Sequence, residues 1–196
     1  MRYSETRAAE TREKVVKEAA AQIRKHGPDG VSVAKVMAAA GLTHGGFYAH
    51  FKSKDDLVVG ALQSMFEQSR RRFAVVTDGL TGPAALAAFI DFYVTTTHRD
   101  HPERGCAIAV LNGDLARLEG TARDTYDAGF AAMVARIGKL LPAEIAGDRE
   151  ALALSMVSEM VGAVALSRAL GDTAASIRLL DATRAAVKAR AGLKDL

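Results

Sequence analysis

Tryptophan is absent from this chain of 196 residues, cysteine occurs once and proline only four times. A lone Cys106 excludes an intrachain disulfide and fits a reducing compartment. So few prolines leave long stretches free to run as helix, and Ala, Leu, Arg, Glu and Lys, all good helix formers, carry much of the length. Long apolar runs are missing too: the longest strongly apolar stretch, Met160 to Leu166, falls far short of the roughly 20 residues a membrane helix needs. The opening Met1-Arg2-Tyr3-Ser4-Glu5-Thr6-Arg7 is charged where a secretion signal would be apolar. These absences predict an all-α, cytoplasmic protein. No metal-spaced ligand cluster and no phosphate-cradling glycine loop stands out, so neither a metal nor a cofactor is expected.

The net charge of +3 is modest, but it is unevenly placed. Residues 1–54 carry ten Lys/Arg against five Asp/Glu, whereas residues 55–196 carry sixteen against eighteen. A basic N-terminal quarter favours a polyanionic partner for that part. The length suits a small N-terminal domain, 1–54, leaning on a larger helical one, 55–196.

The most informative residues lie in the basic quarter. Val33, Val36 and Met37 recur at the spacing of one helical face, Ala38-Ala39-Ala40 permits close approach to a neighbour, and Gly41 is a stop. Thr43 is then placed to cap a short helix on which Phe47 and Phe51, four apart, share the buried side. The opposite side holds His44, Gly45, Tyr48 and Ala49. A helix pinned from behind with a small, polar outer face is suited to a DNA major groove. Ahead of it, Val15, Val16, Ala19, Ala20 and Ile23 form a first helix ending near His26-Gly27-Pro28, and Ser32 caps the second, offering N–H groups to a phosphate. Ser53-Lys54-Asp55-Asp56 reads as a capping box that opens a long fourth helix through Leu57, Ala61, Met65 and Phe73.

Beyond it, Asp78 to Pro83 is a break, followed by a fifth helix with Leu86, Phe89, Ile90 and Tyr93. His98 to Gly105 is polar and expected as a connection, with a sixth helix from about Cys106 to Leu118 and a seventh from about Thr121 to Leu141, ended by Pro142. The eighth, about Asp148 to Leu170, is apolar around so much of its circumference that it must be covered on several sides. A ninth follows Gly171-Asp172-Thr173 with Ile177, Leu180, Arg184 and Val187 aligned.

Residues Thr11 to Leu62, TREKVVKEAAAQIRKHGPDGVSVAKVMAAAGLTHGGFYAHFKSKDDLVVGAL, resemble the DNA-binding domain of the TetR family of transcriptional regulators. The Gly-Leu-Thr, Gly-Gly-Phe-Tyr, His-Phe and Ser-Lys elements carry the likeness over about a quarter of the chain; the rest resembles the family only in length and helical layout. The resemblance implies a three-helix helix–turn–helix domain on a larger ligand-binding and dimerisation domain, about nine helices in all. It also implies base contacts from Thr43, His44, Gly45 and Ala49, with Tyr48, His50 and Lys54 facing phosphates. His44 stands where many relatives carry Lys or Arg, and Ala49 where some carry a larger side chain, so no operator sequence carries over.

An effector cavity between the fourth and seventh helices follows from the same likeness, with Phe66, Phe89, Tyr93, Cys106, Tyr126 and Phe130 as candidate lining, although aromatic stripes of this spacing also build plain core. Asn112 and Asp114 are polar residues expected to border that cavity. Met156, Met160, Val164, Ile177, Leu180 and Arg184 are the expected homodimer seam on the last two helices, where Gly162, Ala163 and Ala165 allow close approach; burial within one chain is the competing explanation. The expected partners are a double-stranded DNA operator, a second copy and a small-molecule effector. Cys106, after Arg104-Gly105 and near His98 and His101, raises two alternatives: a thiol-responsive regulator, or a cysteine-dependent enzyme with one of those histidines as base.

Overall fold

A computed structural model describes residues 2–114 and 117–193, and every regular element among them is helical. The first helix, α1 (Arg2–His26), buries Val15, Val16, Ala19, Ala20 and Ile23 as one stripe against the long α3 (Lys54–Val76). Between them, α2 (Val33–Ala39) begins at Ser32, whose Oγ accepts the Lys35 N–H at 3.4 Å, and stops where Gly41 turns to φ +75° and Leu42 N–H returns to the Met37 carbonyl at 2.9 Å.

The next element is the short helix on which the sequence argument turned, and it differs from the expectation in two respects. His44–Ala49 is wound as a 3-10 helix, and Phe51 lies just beyond its end. Thr43 occupies the cap position without a side-chain cap bond; its carbonyl instead accepts the Gly46 N–H at 3.1 Å. Gly45-Gly46 supplies little helix propensity, and a tighter, shorter turn is the usual result. Both phenylalanines are buried, with rings stacked at 5.4 Å.

At the start of α3, Ser53 Oγ accepts the Asp56 N–H at 3.1 Å, and the Asp56 carboxylate reaches back to the Lys52 N–H at 3.0 Å. This is a capping box displaced by one residue. Helix α4 (Gly82–Tyr93) buries Leu86, Phe89, Ile90 and Tyr93 as expected.

The stretch from Thr95 to Leu118 departs from its sequence reading. The expected connection is helical in two pieces, α5 (Thr96–Asp100), capped by Thr95, and a 3-10 turn at Pro102–Arg104. Arg99 within it is buried: its guanidinium bonds Asp100, Asp172, Ser176 and the Gly171 carbonyl. The sixth helix shrinks to α6 (Ala107–Val110), with Asn112-Gly113 in a turn that ends any continuation; residues 115–116 of the expected span lie outside the described residues.

Helix α7 (Gly120–Leu140) is closed by Arg149, which donates to the carbonyls of Gly138, Leu141 and Pro142. Helix α8 (Arg149–Leu170) is by length and composition apolar enough to cross a membrane, which corrects the sequence expectation that no segment is. Part of its apolar surface is buried against α5, α6, α7 and the final helix α9 (Ala174–Arg190).

Candidate nucleic-acid interface and effector cavity

Phe47 and Phe51 hold the 3-10 segment from behind, and the Arg12 guanidinium lies 4.9 Å from the Phe51 ring centre. With its inner side fixed, the segment presents Thr43, His44, Gly45, Tyr48 and Ala49 to solvent, Tyr48 at 74% exposure. A tyrosine ring left that exposed beside two fully buried phenylalanines is not serving the core. His50 is half-buried, and the half-buried Lys54 already donates from Nζ to the Asp29 carbonyl at 3.0 Å, which leaves two of its ammonium donors. Ser32 spends its hydroxyl on the α2 cap. Of the eight residues expected at a DNA surface, five are exposed on this segment or at its start, and Ser32, His50 and Lys54 are half-buried.

A cavity of about 870 Å³ lies between α3, α4, α5 and α7. Phe66, Phe89, Tyr93 and Cys106 line it as expected. Tyr126 and Phe130 do not: Tyr126 packs edge-on behind Phe66 at 6.0 Å, and Phe130 faces a separate groove against α8. Asn112 and Asp114 are also absent from the lining, and Asp114 instead pairs with Arg117 at 2.5 Å. Helical spacing places an aromatic residue on a face but does not say which of two neighbouring helices the face meets.

At the buried end of the cavity, the Tyr93 hydroxyl has no nitrogen or oxygen partner, and the weakly bonding Cys106 thiol is beside it. An unsatisfied buried hydroxyl costs about 1–3 kcal/mol, which a ligand or water able to bond it would recover. His98 beside it is fully engaged. Its Nδ1 meets the Tyr93 carbonyl at 2.8 Å and its Nε2 meets the Cys106 N–H at 3.1 Å, so the proton sits on Nδ1 and Nε2 accepts. Burial pushes its pKa down to about 4, with Arg168 and Arg72 adding to the effect against the Tyr93 carbonyl. His98 therefore supplies no positive charge beside Cys106, and no lone pair remains there to take the thiol proton. His101 points elsewhere, pairing with Glu103 at 3.2 Å. Cys106 itself is buried at the start of α6.

Two arginines that the sequence reading passed over organise this wall. Arg168 of α8 donates to the carbonyls of His98, Arg99 and Ala109. Arg24 of α1, 7% exposed, donates to the Gly105 carbonyl at 3.2 Å and to Gln68 at 3.0 Å. Burial, then the charge of Arg72, lowers its pKa to about 10. Sequence signals for both were weak, because their partners lie far along the chain.

The expected dimer seam needs correction. Met156, Met160 and Val164 are fully buried inside the chain and Leu180 nearly so, because α8 and α9 pack on each other and on α4 and α7. Of the six residues only Ile177 and Arg184 reach the surface, and Leu154, Leu166 and Leu170 are further large apolar side chains exposed on α8.

A basic helix–turn–helix with an exposed outer segment, joined to a helical body that holds a cavity, is the layout of a transcription-regulator fold. Residues 15–61 match the family described as bacterial regulatory proteins, tetR family. A TetR transcriptional regulator from Chloroflexus aurantiacus J-10-FL is 28% identical, with 94% of this chain and 95% of that one covered at a TM-score of 0.77. The reduced form of Escherichia coli NemR is similar in fold at 19% identity, with 92% and 96% covered and a TM-score of 0.76. So is a TetR-family regulator from Cytophaga hutchinsonii, at 16% identity, with 93% and 96% covered and a TM-score of 0.79. No match is found among curated proteins. Residues 15–61 thus match the TetR DNA-binding domain, and the chain as a whole has the fold of TetR-family transcription regulators.

Proposed function

We propose that the chain is a ligand-released repressor that binds a near-palindromic operator as a homodimer. In this reading residues 1–54 read DNA, with Thr43, His44, Gly45 and Ala49 toward bases and Ser32, Tyr48, His50 and Lys54 toward phosphates, and residues 55–196 hold the effector and the second copy. The dimer surface is the outer side of α8 and α9, where Leu166, Leu170, Ile177 and Arg184 lie open. The carrying observation for release is that the cavity wall touches the DNA-binding part directly. Gly105 precedes the cavity-lining Cys106, and its carbonyl holds Arg24 of α1 at 3.2 Å. An effector that displaces this wall favours a different seat for α1, and by linkage weakens DNA binding by the same factor that DNA weakens effector binding. The long α3, which lines the cavity and packs on α1, is a second route.

Mobility shift of the purified protein on the DNA upstream of its own gene tests the reading. Specific binding that falls steeply with salt is expected, and Tyr48→Ala weakens it across all sequences. Binding that is non-specific, or indifferent to salt, overturns it.

A thiol-responsive variant of the same mechanism rests on one observation, that Cys106 lines the cavity within the wall that holds Arg24. Cys106→Ser then keeps operator binding and loses release by alkylating agents or oxidants; release unchanged in that variant removes this reading.

A further inference from the structure

The residues around the cavity are graded in chemistry. Arg136 of α7 lies over the Phe73 ring at 4.7 Å, Phe73 meets Phe89 at 4.9 Å, and Phe89 meets Tyr93 at 5.5 Å. A continuous aromatic wall therefore runs from a guanidinium at one end to a buried hydroxyl at the other, one with no nitrogen or oxygen partner and only the Cys106 thiol beside it. The charge along it is one-sided. Arg70, Arg72, Arg104 and Arg136 line the cavity against the single carboxylate of Glu67, and Glu67 is already paired with Arg70 and Arg71. Among the described residues neither Arg72 nor Arg136 has a carboxylate within ion-pairing distance. Burial and the charge of Arg70 both disfavour the charged form of Arg136, a cost that an incoming anion would relieve.

Aromatic walls alone also suit cationic ligands, which sit over ring faces. Here the rings already face a guanidinium and the surrounding charge is positive, so a cation would meet repulsion and an oxyanion a charge-assisted hydrogen bond.

We propose that the cavity takes a flat aromatic acid, its oxyanion on Arg136 and a hydrogen-bonding oxygen at its far end on the Tyr93 hydroxyl. This rests on the reading of the cavity as the effector site, and deepens it to a ligand class. The volume of about 870 Å³ is ample for two or three fused or linked rings.

Because the chain lacks tryptophan, naphthalene fluorescence reports binding without interference. Four probes of one ring system separate the terms: 6-hydroxy-2-naphthoate, 2-naphthoate, 2-naphthol and (2-naphthylmethyl)trimethylammonium. The expected order of affinity on the full chain is the order given, with the hydroxy acid ahead of the plain acid and the cation last. Arg136→Gln lowers affinity for both acids about tenfold and leaves that for 2-naphthol unchanged, while Arg136→Lys retains most of the preference for the acids. Tyr93→Phe removes the advantage of the hydroxy acid over the plain acid. Ala132→Phe, which fills the cavity from α7 without adding an indole, abolishes binding of both acids.

If 2-naphthol or the cation binds as tightly as 2-naphthoate, the ligand class is wrong while the cavity remains an effector site. If Ala132→Phe leaves acid binding intact, the acids bind elsewhere and the inference falls with its site. If the acids bind as described but do not release the operator, the ligand class stands and the release mechanism fails. The binding assay contains no DNA, so these failures are distinct.

Discussion

Arg24 Nε and the Gly105 carbonyl, 81 residues apart in sequence, meet at 3.2 Å in a buried contact that joins the first helix to the wall of the cavity. Helix α1 also packs directly against the Pro102–Arg104 turn, so the hydrogen bond sits inside a broader seam between the two parts of the chain. Replacing Arg24 with Met keeps most of the apolar stem and removes the donor. The Gly105 carbonyl and the Gln68 amide oxygen lose their partner, and a loss of about 1–3 kcal/mol in unfolding free energy is expected. The second expectation separates coupling from stability. In urea-matched comparisons, Arg24→Met retains operator binding at low effector but shows a reduced ratio of operator affinity without and with effector. An unchanged ratio would leave α3 as the sole route between the parts.

His98 gives a pH signature of the same wall. Its pKa falls to about 4, burial being the largest cause, whereas in the unfolded chain it sits near 6.5. Between those values the unfolded state binds the extra proton, so stability rises with pH through this window. The contribution is complete above about pH 6.5 and is lost as pH falls toward 4, by an amount on the order of 3 kcal/mol. Denaturant titrations at pH 7, 6, 5 and 4.5 measure it against His98→Gln, which carries no titratable group. The variant starts less stable at pH 7, because the Tyr93 carbonyl and the Cys106 N–H lose a well-placed partner, and falls less steeply on acidification. Parallel curves for the two proteins would show that His98 is not protected from protonation.

The two faces of the reading segment separate by substitution. Phe47→Ala deletes a ring 2% exposed that stacks on Phe51, and is expected to cost about 3–5 kcal/mol, as large-to-small changes in cores do. Tyr48→Ala removes a neighbouring ring that is 74% exposed, with a stability change of about 0.5 kcal/mol or less. Only the second loses operator affinity without losing fold. Changes at His44, also exposed, alter which operator is preferred. Thermal melting and a mobility-shift series over variant half-sites test all three.

The parts of the fold that were legible in sequence are those with local causes. Gly41, Ser32 and Ser53 set their boundaries through bonds to residues within five positions, and Pro83, Pro142 and Gly171 punctuate the later helices in the same way. Such signals survive without knowledge of the tertiary structure. The stretch around residues 95–111 was misjudged for the opposite reason. Arg99 reads as a surface residue of a polar loop until Asp172 and Ser176, more than 70 positions away, are brought to it. Arg24 reads as one of three solvated basic residues in the last turn of α1 until Gly105 reaches it. The dimer seam differs for another reason: the apolar face carrying Met156, Met160 and Val164 is covered by neighbouring helices of the same chain, among them α5, α6, α7 and α9. Periodicity shows that a face will be buried, and not by what.

Gly129 is the sharpest steric constraint at the cavity, and nothing in the sequence marks it. It lies on α7 against the face of the Phe66 ring of α3, where an added Cβ would stand 2.3–2.5 Å from three ring carbons. No side chain tolerates such contacts, so Gly129→Ala forces either the ring to rotate or α3 and α7 to separate. Phe66 lines the cavity and is only partly buried, so rotation into the open volume is the easier response. Overpacking of this kind costs about 1–3 kcal/mol, partly offset by the better helix propensity of alanine. The expected outcome is a modest fall in melting temperature with operator binding preserved, together with weaker binding of any ligand that uses the Phe66 end of the cavity. Phe66→Leu, combined with Gly129→Ala, relieves the clash and restores the melting temperature. If the double variant is no more stable than Gly129→Ala alone, the contact between these two residues is not what holds α3 and α7 at their spacing.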